Sequence, residues 1–193
     1  MTRKIFFVAC CVLSPVIMGA CGSINLGRHM DRVMNAKYLN NSFETKPIDL
    51  AAAGQCPATR VLKVVNTETK KGETIIYDAM GQKFFIIPYE FNQYVVKYME
   101  EKLRESKLTV DETIGKEIDV SIEKIKVELS AGGFAFWAWA ELKISLAEIN
   151  YTQIYFGNEG SGAANNAVAY AVHFAVQHFL EDPVVQKYFQ CRN

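Results

Sequence analysis

The sequence lacks an excess of charge of either sign, has little histidine, and contains no apolar run of the length a bilayer-spanning helix needs. Its 21 Lys and Arg balance 21 Asp and Glu. That leaves no basic footprint for nucleic acid, and no nucleic-acid partner is expected. The three histidines, His29, His173 and His178, stand apart from any Asp or Glu cluster at ligand spacing, so neither a metal site nor a cofactor is expected. His173 and His178 lie five residues apart on the last predicted helix and do not share a face. No G-x-S-x-G, no H-E-x-x-H and no nucleophilic Cys in a matching His context occurs. The carboxylates alternate with lysines along solvated faces, so no catalytic residue is nominated and the expectation is a non-enzymatic protein. The glycine-rich "FGNEGSGAANN" has neither the spacing nor the lysine of a phosphate loop. It reads as a glycine turn with Ser161 capping the helix that follows.

What is present begins at the N-terminus. Arg3 and Lys4 precede the uncharged, mostly apolar run Ile5 to Ala20. A membrane-spanning helix needs roughly 20 such residues, and the layout is that of a secretory signal, residues 1–20. Plain cleavage after Ala20 would put bulky Met18 third from the cut. Gly19-Ala20-Cys21 resembles instead the lipobox of bacterial lipoproteins, in which the Cys becomes the first mature residue and is acylated. One fatty chain contributes only about 0.8 kcal/mol per buried methylene, so a stable anchor takes more than one. A diacylglyceryl, N-acylated Cys21 meets that need; an incidental Cys after a plain signal, or a retained helix, are the alternatives. Gly22 in place of Asp implies, by the enteric sorting rule, the periplasmic face of the outer membrane.

Of the five cysteines, Cys10 and Cys11 leave with the signal and Cys21 is the lipid site. Cys56 and Cys191 remain, either as a disulfide in an oxidising periplasm or as two separate thiols. Closing so long a loop would stabilise by roughly 4–5 kcal/mol on the chain-entropy argument.

Residues 21–57 read as a lipidated N-terminus and tether, with a short amphipathic helix over 26–39 from the spacing of Leu26, Met30, Val33, Met34 and Tyr38. Residues 58–193 read as one periplasmic domain. "TRVLKVV", "TIIYDAM" and "KFFIIP" are strands, and "FNQYVVKYMEEKLRESKL" is an amphipathic helix. From Ile118 the period returns to two, with a phase slip near Glu123–Lys124 that predicts a β-bulge. Two more strands follow, "FAFWAWAELKISL" and "YTQIYFG", and then an alanine-rich helix from about 163 to 180. The predicted class is α+β, a mainly antiparallel sheet with two main helices on one face.

If Phe134, Phe136, Ala138, Ala140, Leu142 and Ile144 face those helices, Trp137 and Trp139 face away. The same division in the next strand places Ile154 and Phe156 inside and Tyr151, Gln153 and Tyr155 outside. Trp137, Trp139, Tyr151 and Tyr155, rimmed by Lys126 and Glu128, would form an aromatic binding face. The alternative is that the segment 22–57 folds back and covers it, or that the register differs.

Lipobox Cys21, the strand "TRVLKVV", the helix ending "MEEKLRESKLTV", "IDVSIEKIKVEL", "AELKISL", "FGNEG" and the terminal "DPVVQKYFQ" together resemble the YajG-like family of small Gram-negative lipoproteins. The resemblance covers nearly the whole mature chain; "NTET" stands where that pattern has Asp-x-Arg. It implies an envelope location and no established enzymatic activity. The expected function is a membrane-anchored adapter for an envelope protein or polymer. The alternative is an accessory subunit handling lipid or other apolar cargo for an envelope transport system.

Overall fold

The computed structural model describes residues 23–43 and 61–189. Residues 1–20, where a signal is expected, and Cys21, Cys56 and Cys191 lie outside the described residues. The order is β1 (Ser23–Asn25), a 3₁₀ turn (Leu26–His29), α1 (Met30–Val33), α2 (Ala36–Ser42), β2 (Val61–Asn66), β3 (Thr74–Ala79), β4 (Gln82–Ile86) and α3 (Pro88–Glu105). Then come β5 (Thr109–Val110), β6 (Lys116–Leu129), β7 (Phe136–Leu146), β8 (Tyr151–Ser161), α4 (Ala164–Glu181) and α5 (Pro183–Phe189). This is the expected α+β class. The strands form two mixed sheets, a five-stranded β5-β2-β6-β7-β8 and a three-stranded β1-β4-β3.

Within the larger sheet β2 runs parallel to β5 and β6, while β6, β7 and β8 form an antiparallel meander. The β6–β7 register shifts between Ile122 and Lys124, leaving Glu123 as the extra residue of a bulge. That shift keeps Ile118, Val120 and Ile122, and then Ile125 and Val127, on the buried side. β2 ends where the bulge begins. There the Glu68 carboxylate accepts from the Ile122 amide at 3.3 Å and from the Thr69 and Lys70 amides at 2.9 Å. Side-chain oxygens thus replace the ladder partner that β2 no longer supplies.

α3 and α4 pack on one face of the large sheet. α3 starts on Pro88, where a missing N–H costs nothing, and ends with Lys102 and Arg104 at the negative end of its dipole. Its buried stripe is Phe91, Val95, Tyr98, Met99 and Leu103. α4 presents Ala167, Ala171 and Ala175 to β7 and β8, and small side chains let the helix axis lie close to the strands.

The N-terminal segment differs from the expected tether. Its single predicted helix is broken by Asn35, whose side chain caps α2 by accepting from the Tyr38 amide at 2.8 Å. Leu26, Met30, Met34 and Leu39 are buried in the common core. Residues 23–43 therefore belong to the folded unit, on the helix side of the sheet. The predicted cap of α4 also differs. β8 continues through Ser161, the helix starts at Ala164, and Ala163 is the N-cap with no side-chain bond. Ser161 Oγ accepts only a long contact from the Ala163 amide at 3.5 Å.

Candidate functional site

The outer face of the β6–β7–β8 meander carries the tryptophans, but its partners differ from those expected. In β7, Ala138, Ala140, Leu142, Ile144 and Leu146 are buried against the helices, so Trp137, Trp139, Glu141 and Lys143 face away. Phe134, placed inside by alternation, lies before the strand begins and is 91 % exposed. In β8 the predicted phase is one residue off. Tyr155 is buried and packs edge-on to Phe179 of α4, with ring centroids 5.4 Å apart. Tyr151 turns the same way. Ile154 and Phe156 are instead 50 % and 44 % exposed.

The register then defines the outer rows. Glu128, Trp137 and Gly160 lie side by side, as do Lys126, Trp139 and Asn158; Lys124, Glu141 and Phe156; and Ser121, Lys143 and Ile154. The candidate site is thus Trp137 and Trp139 together with Phe156 and Ile154, while Tyr151 and Tyr155 are removed from it.

Two glycines of "FGNEGSG" explain themselves on opposite faces. A Cβ at Gly157 would sit 2.0 Å from the Ala171 carbonyl oxygen and 2.5 Å from the Ala175 amide nitrogen. Only a residue without a side chain lets α4 lie that close. At Gly160 a Cβ would meet the Trp137 ring at 3.1 Å, so the indole lies over the strand where the glycine leaves space. Trp137 is in part a packing residue of the sheet; Trp139 carries the stronger claim to ligand contact.

Four of the charges on this face are paired. Lys126 forms an ion pair with Glu128, and its ammonium also stands 5.7 Å from the Trp139 ring centroid. Lys124 approaches Glu141 at 3.9 Å. A shallow depression of about 520 Å³ lies among Glu123, Lys143, Thr152, Gln153 and Ile154. At the sheet's outer edge His178 Nδ1 lies 2.7 Å from the Phe156 carbonyl and occupies one acceptor of a strand that, among the described residues, pairs on one side only.

The two tyrosines have a different role. Tyr151 and Tyr155 both donate their hydroxyls to Asp182 Oδ2, at 2.7 and 2.9 Å, while Asp182 Oδ1 accepts from the Val184 and Val185 amides. Burial is the largest influence on the Asp182 carboxyl and pushes it up. The Tyr151 and Tyr155 hydroxyls and the two amides outweigh it and hold the carboxyl below the usual carboxylate range. Burial, then the Tyr151 and Asp182 contacts, push the Tyr155 hydroxyl well up, so it stays a donor. Asp182→Ala is expected to lose about 1–2 kcal/mol, as two hydroxyls lose a charged acceptor at a partly solvated site. Because its folded value is depressed, Asp182 stabilises above the ordinary Asp range and ceases to as pH falls through that value. Thermal melts from neutral to acid pH check both. A variant melting with the wild type at pH 7 would remove Asp182 as the clasp between β8 and α5.

Behind the sheet lie two buried polar groups of residues. Asn92 Nδ2 donates to Asn66 Oδ1 and to the Val120 carbonyl, both at 2.7 Å, which ties α3 to the end of β2. The Asn of "NTET" therefore holds the helix to the sheet. Between α3 and α4, the Tyr98 hydroxyl and His173 Nδ1 lie 2.5 Å apart, and buried Lys102 bonds Asn40 Oδ1 at 2.9 Å and Glu105 Oε2 at 2.8 Å. Among the described residues no group of three or more His, Cys, Asp or Glu could hold a metal ion. Among them, too, no helix is long and apolar enough to cross a membrane.

A second cleft, about 600 Å³, separates β3 from the end of β6 and is lined by Ile75, Tyr77, Met80, Lys126, Val127 and Leu129 among others. Its lining is largely apolar.

No protein-family model and no curated protein matches the chain. Among solved structures, a Xanthomonas campestris protein of the DUF330 family superposes with a TM-score of 0.43 at 11 % identity, over 69 % of this chain and 85 % of that one.

Proposed function

We propose that this chain is a non-enzymatic binding module, tethered to the periplasmic face of the outer membrane through acylated Cys21. On this reading it engages an envelope protein or polymer with the outer face of its meander. The observation that carries the reading is the group of Trp137, Trp139, Phe156 and Ile154 on the outer face of the neighbouring strands β7 and β8, where Trp137, Ile154 and Phe156 are 42 %, 50 % and 44 % exposed. Partly exposed aromatics beside paired charges are the usual composition of a contact surface. The lipobox-like Gly19-Ala20-Cys21 supports the anchor, and the YajG-like pattern of the sequence agrees with such a location.

Crosslinking in intact cells tests the face. Trp139→Ala/Phe156→Ala is expected to abolish the wild-type adducts while its melting temperature stays near wild type, because both side chains are largely outside the core. An unchanged adduct pattern from the folded variant would overturn the reading. Intact mass of membrane-extracted protein tests the anchor separately: acyl mass on Cys21, lost in Cys21→Ser, is the expected result, and an unmodified mature Cys21 would overturn it. The cleft between β3 and β6 supports a second reading, apolar cargo. Extraction of a stoichiometric lipid with the purified protein would favour that reading over the first.

A further inference from the structure

Two hairpin tips at one end of the molecule carry large apolar side chains that the fold does not use. Met80 is 83 % exposed and Phe134 is 91 % exposed. Met80 and Gly81 turn the β3–β4 hairpin with φ of 54° and 75°. That two-residue turn favours Asn or Asp at its first position, and both burial and backbone preference argue against methionine there. Phe134 follows Gly133, φ 71°, in the β6–β7 hairpin, which is closed by the Gly133 amide donating to the Ser130 carbonyl at 2.8 Å.

The tips are neighbours. Met80 and Leu129 line the same cleft, and the rings of Tyr77 and Phe84 pack against Phe136 at 6.0 and 5.6 Å. Neither tip bears a charge: residues 79–82 and 130–140 contain no Asp, Glu, Lys or Arg. Charges first appear behind them, as the pairs Asp78–Lys83 and Lys126–Glu128.

The chain enters the fold at this same end. β1 runs parallel to β4 with Ser23 opposite Lys83, just past the Met80–Gly81 turn. Cys21 lies two residues before Ser23, a reach of at most about 7 Å.

We infer that this end of the molecule is a membrane-contacting surface, with Met80 and Phe134 inserted into the lipid headgroup boundary beside the anchor. The inference rests on the lipid-anchor reading of Cys21 and adds an orientation to it. Exposed apolar and aromatic side chains on uncharged tips, backed by ion pairs, match the layered polarity of a bilayer surface. Two points of contact beside a short tether would also stop the domain from tumbling about its anchor. The meander would then stand away from the membrane, with its tryptophan end nearest the lipid.

The test uses full-chain protein extracted from membranes and reconstituted in vesicles of equimolar phosphatidylethanolamine and phosphatidylglycerol. Parallel vesicles include phosphatidylcholine brominated high on its acyl chains. Tryptophan is introduced singly at two exposed sites, Phe134→Trp and Ile114→Trp. Ile114 lies just before β6, whose 14 residues separate it from the tip, by about 45 Å along the strand. Quenching is read as the excess over the native Trp137 and Trp139.

Phe134→Trp is expected to show a several-fold larger excess than Ile114→Trp, and Met80→Asp added to Phe134→Trp should reduce it. Equal quenching at both sites, a larger excess at Ile114, or none at either would overturn the inference. The mass of Cys21 in the same preparation decides the anchor independently. Acylated protein without tip quenching loses the orientation and keeps the anchor, whereas tip quenching by protein with an unmodified Cys21 keeps the membrane surface and loses the anchor.

Discussion

Gly157→Ala is expected to be the most damaging single-methyl change in this protein, costing about 3 kcal/mol or more, at the upper end of what overpacking produces. The new Cβ would lie 2.0 Å from the Ala171 carbonyl oxygen and 2.5 Å from the Ala175 amide nitrogen. Both obstacles are helix backbone, so no rotamer change relieves the clash. α4 would have to withdraw by more than an ångström, and its contacts with Ala138 and Ala140 would open along the whole interface. A radial gap of about 0.5–1 Å already forfeits a quarter to a half of each dispersion contact. Gly160→Ala is the control. Its Cβ would meet only the Trp137 ring at 3.1–3.3 Å, a side chain that can shift by a few tenths. Urea midpoints for the two variants should therefore diverge sharply. A Gly157→Ala protein within about 1 kcal/mol of wild type would mean that α4 is less closely seated than the structure shows.

The same glycine marks where the sequence stopped being readable. In β7 the alternation is legible because every inward position from Ala138 to Leu146 is apolar and Glu141 and Lys143 interrupt them. In β8 the signal inverts. The positions of inward phase are Tyr151, Gln153, Tyr155 and Gly157, two residues with hydroxyls, an exposed amide and one with no side chain, while Ile154 and Phe156 supply the apolar positions on the outside. Alternation alone selects the apolar pair as core. What decides the phase is Asp182, 27 residues beyond Tyr155, which accepts both hydroxyls. No local pattern announces that contact. The available hint was the coincidence of Gly157 with the alanine row Ala167, Ala171 and Ala175, since a close helix needs a bare strand position opposite it. The bulge at Glu123 was legible because two apolar triplets of opposite phase flank it. The N-terminal segment was not. Its buried residues are spaced as for one helix, and only the Asn35 cap shows that the chain breaks into shorter turns.

Acid is expected to destabilise the protein through His173 well above the range where carboxylates titrate. The imidazole is fully buried between α3 and α4, stacked on Phe43 at 5.2 Å. Burial lowers its pKa first, the nearby Lys102 ammonium lowers it further, and Glu105 opposes them more weakly, leaving it at about 4. The Tyr98 hydroxyl, which burial keeps protonated, lies 2.5 Å from Nδ1, and Nε2 has no partner among the described residues. The neutral ring is thus the form the fold accepts. In the unfolded chain the same group titrates near its ordinary value of about 6.5. Above that pH both states are neutral and the titration of His173 does not change stability. As pH falls below it the unfolded chain takes up a proton that the folded one refuses, and stability drops until the folded pKa is reached. The loss amounts to about 2 kcal/mol at pH 5 and about 3 kcal/mol at pH 4. His173→Gln removes the titrating group, keeps an acceptor for Tyr98, and should be weaker at pH 7.5 yet flatter across this window. Urea unfolding of both proteins from pH 7.5 to 4.5 gives the difference directly, with the carboxylates common to the two. Parallel curves would show that the folded protein admits the His173 proton, and that the space between Tyr98 and Phe43 opens to water.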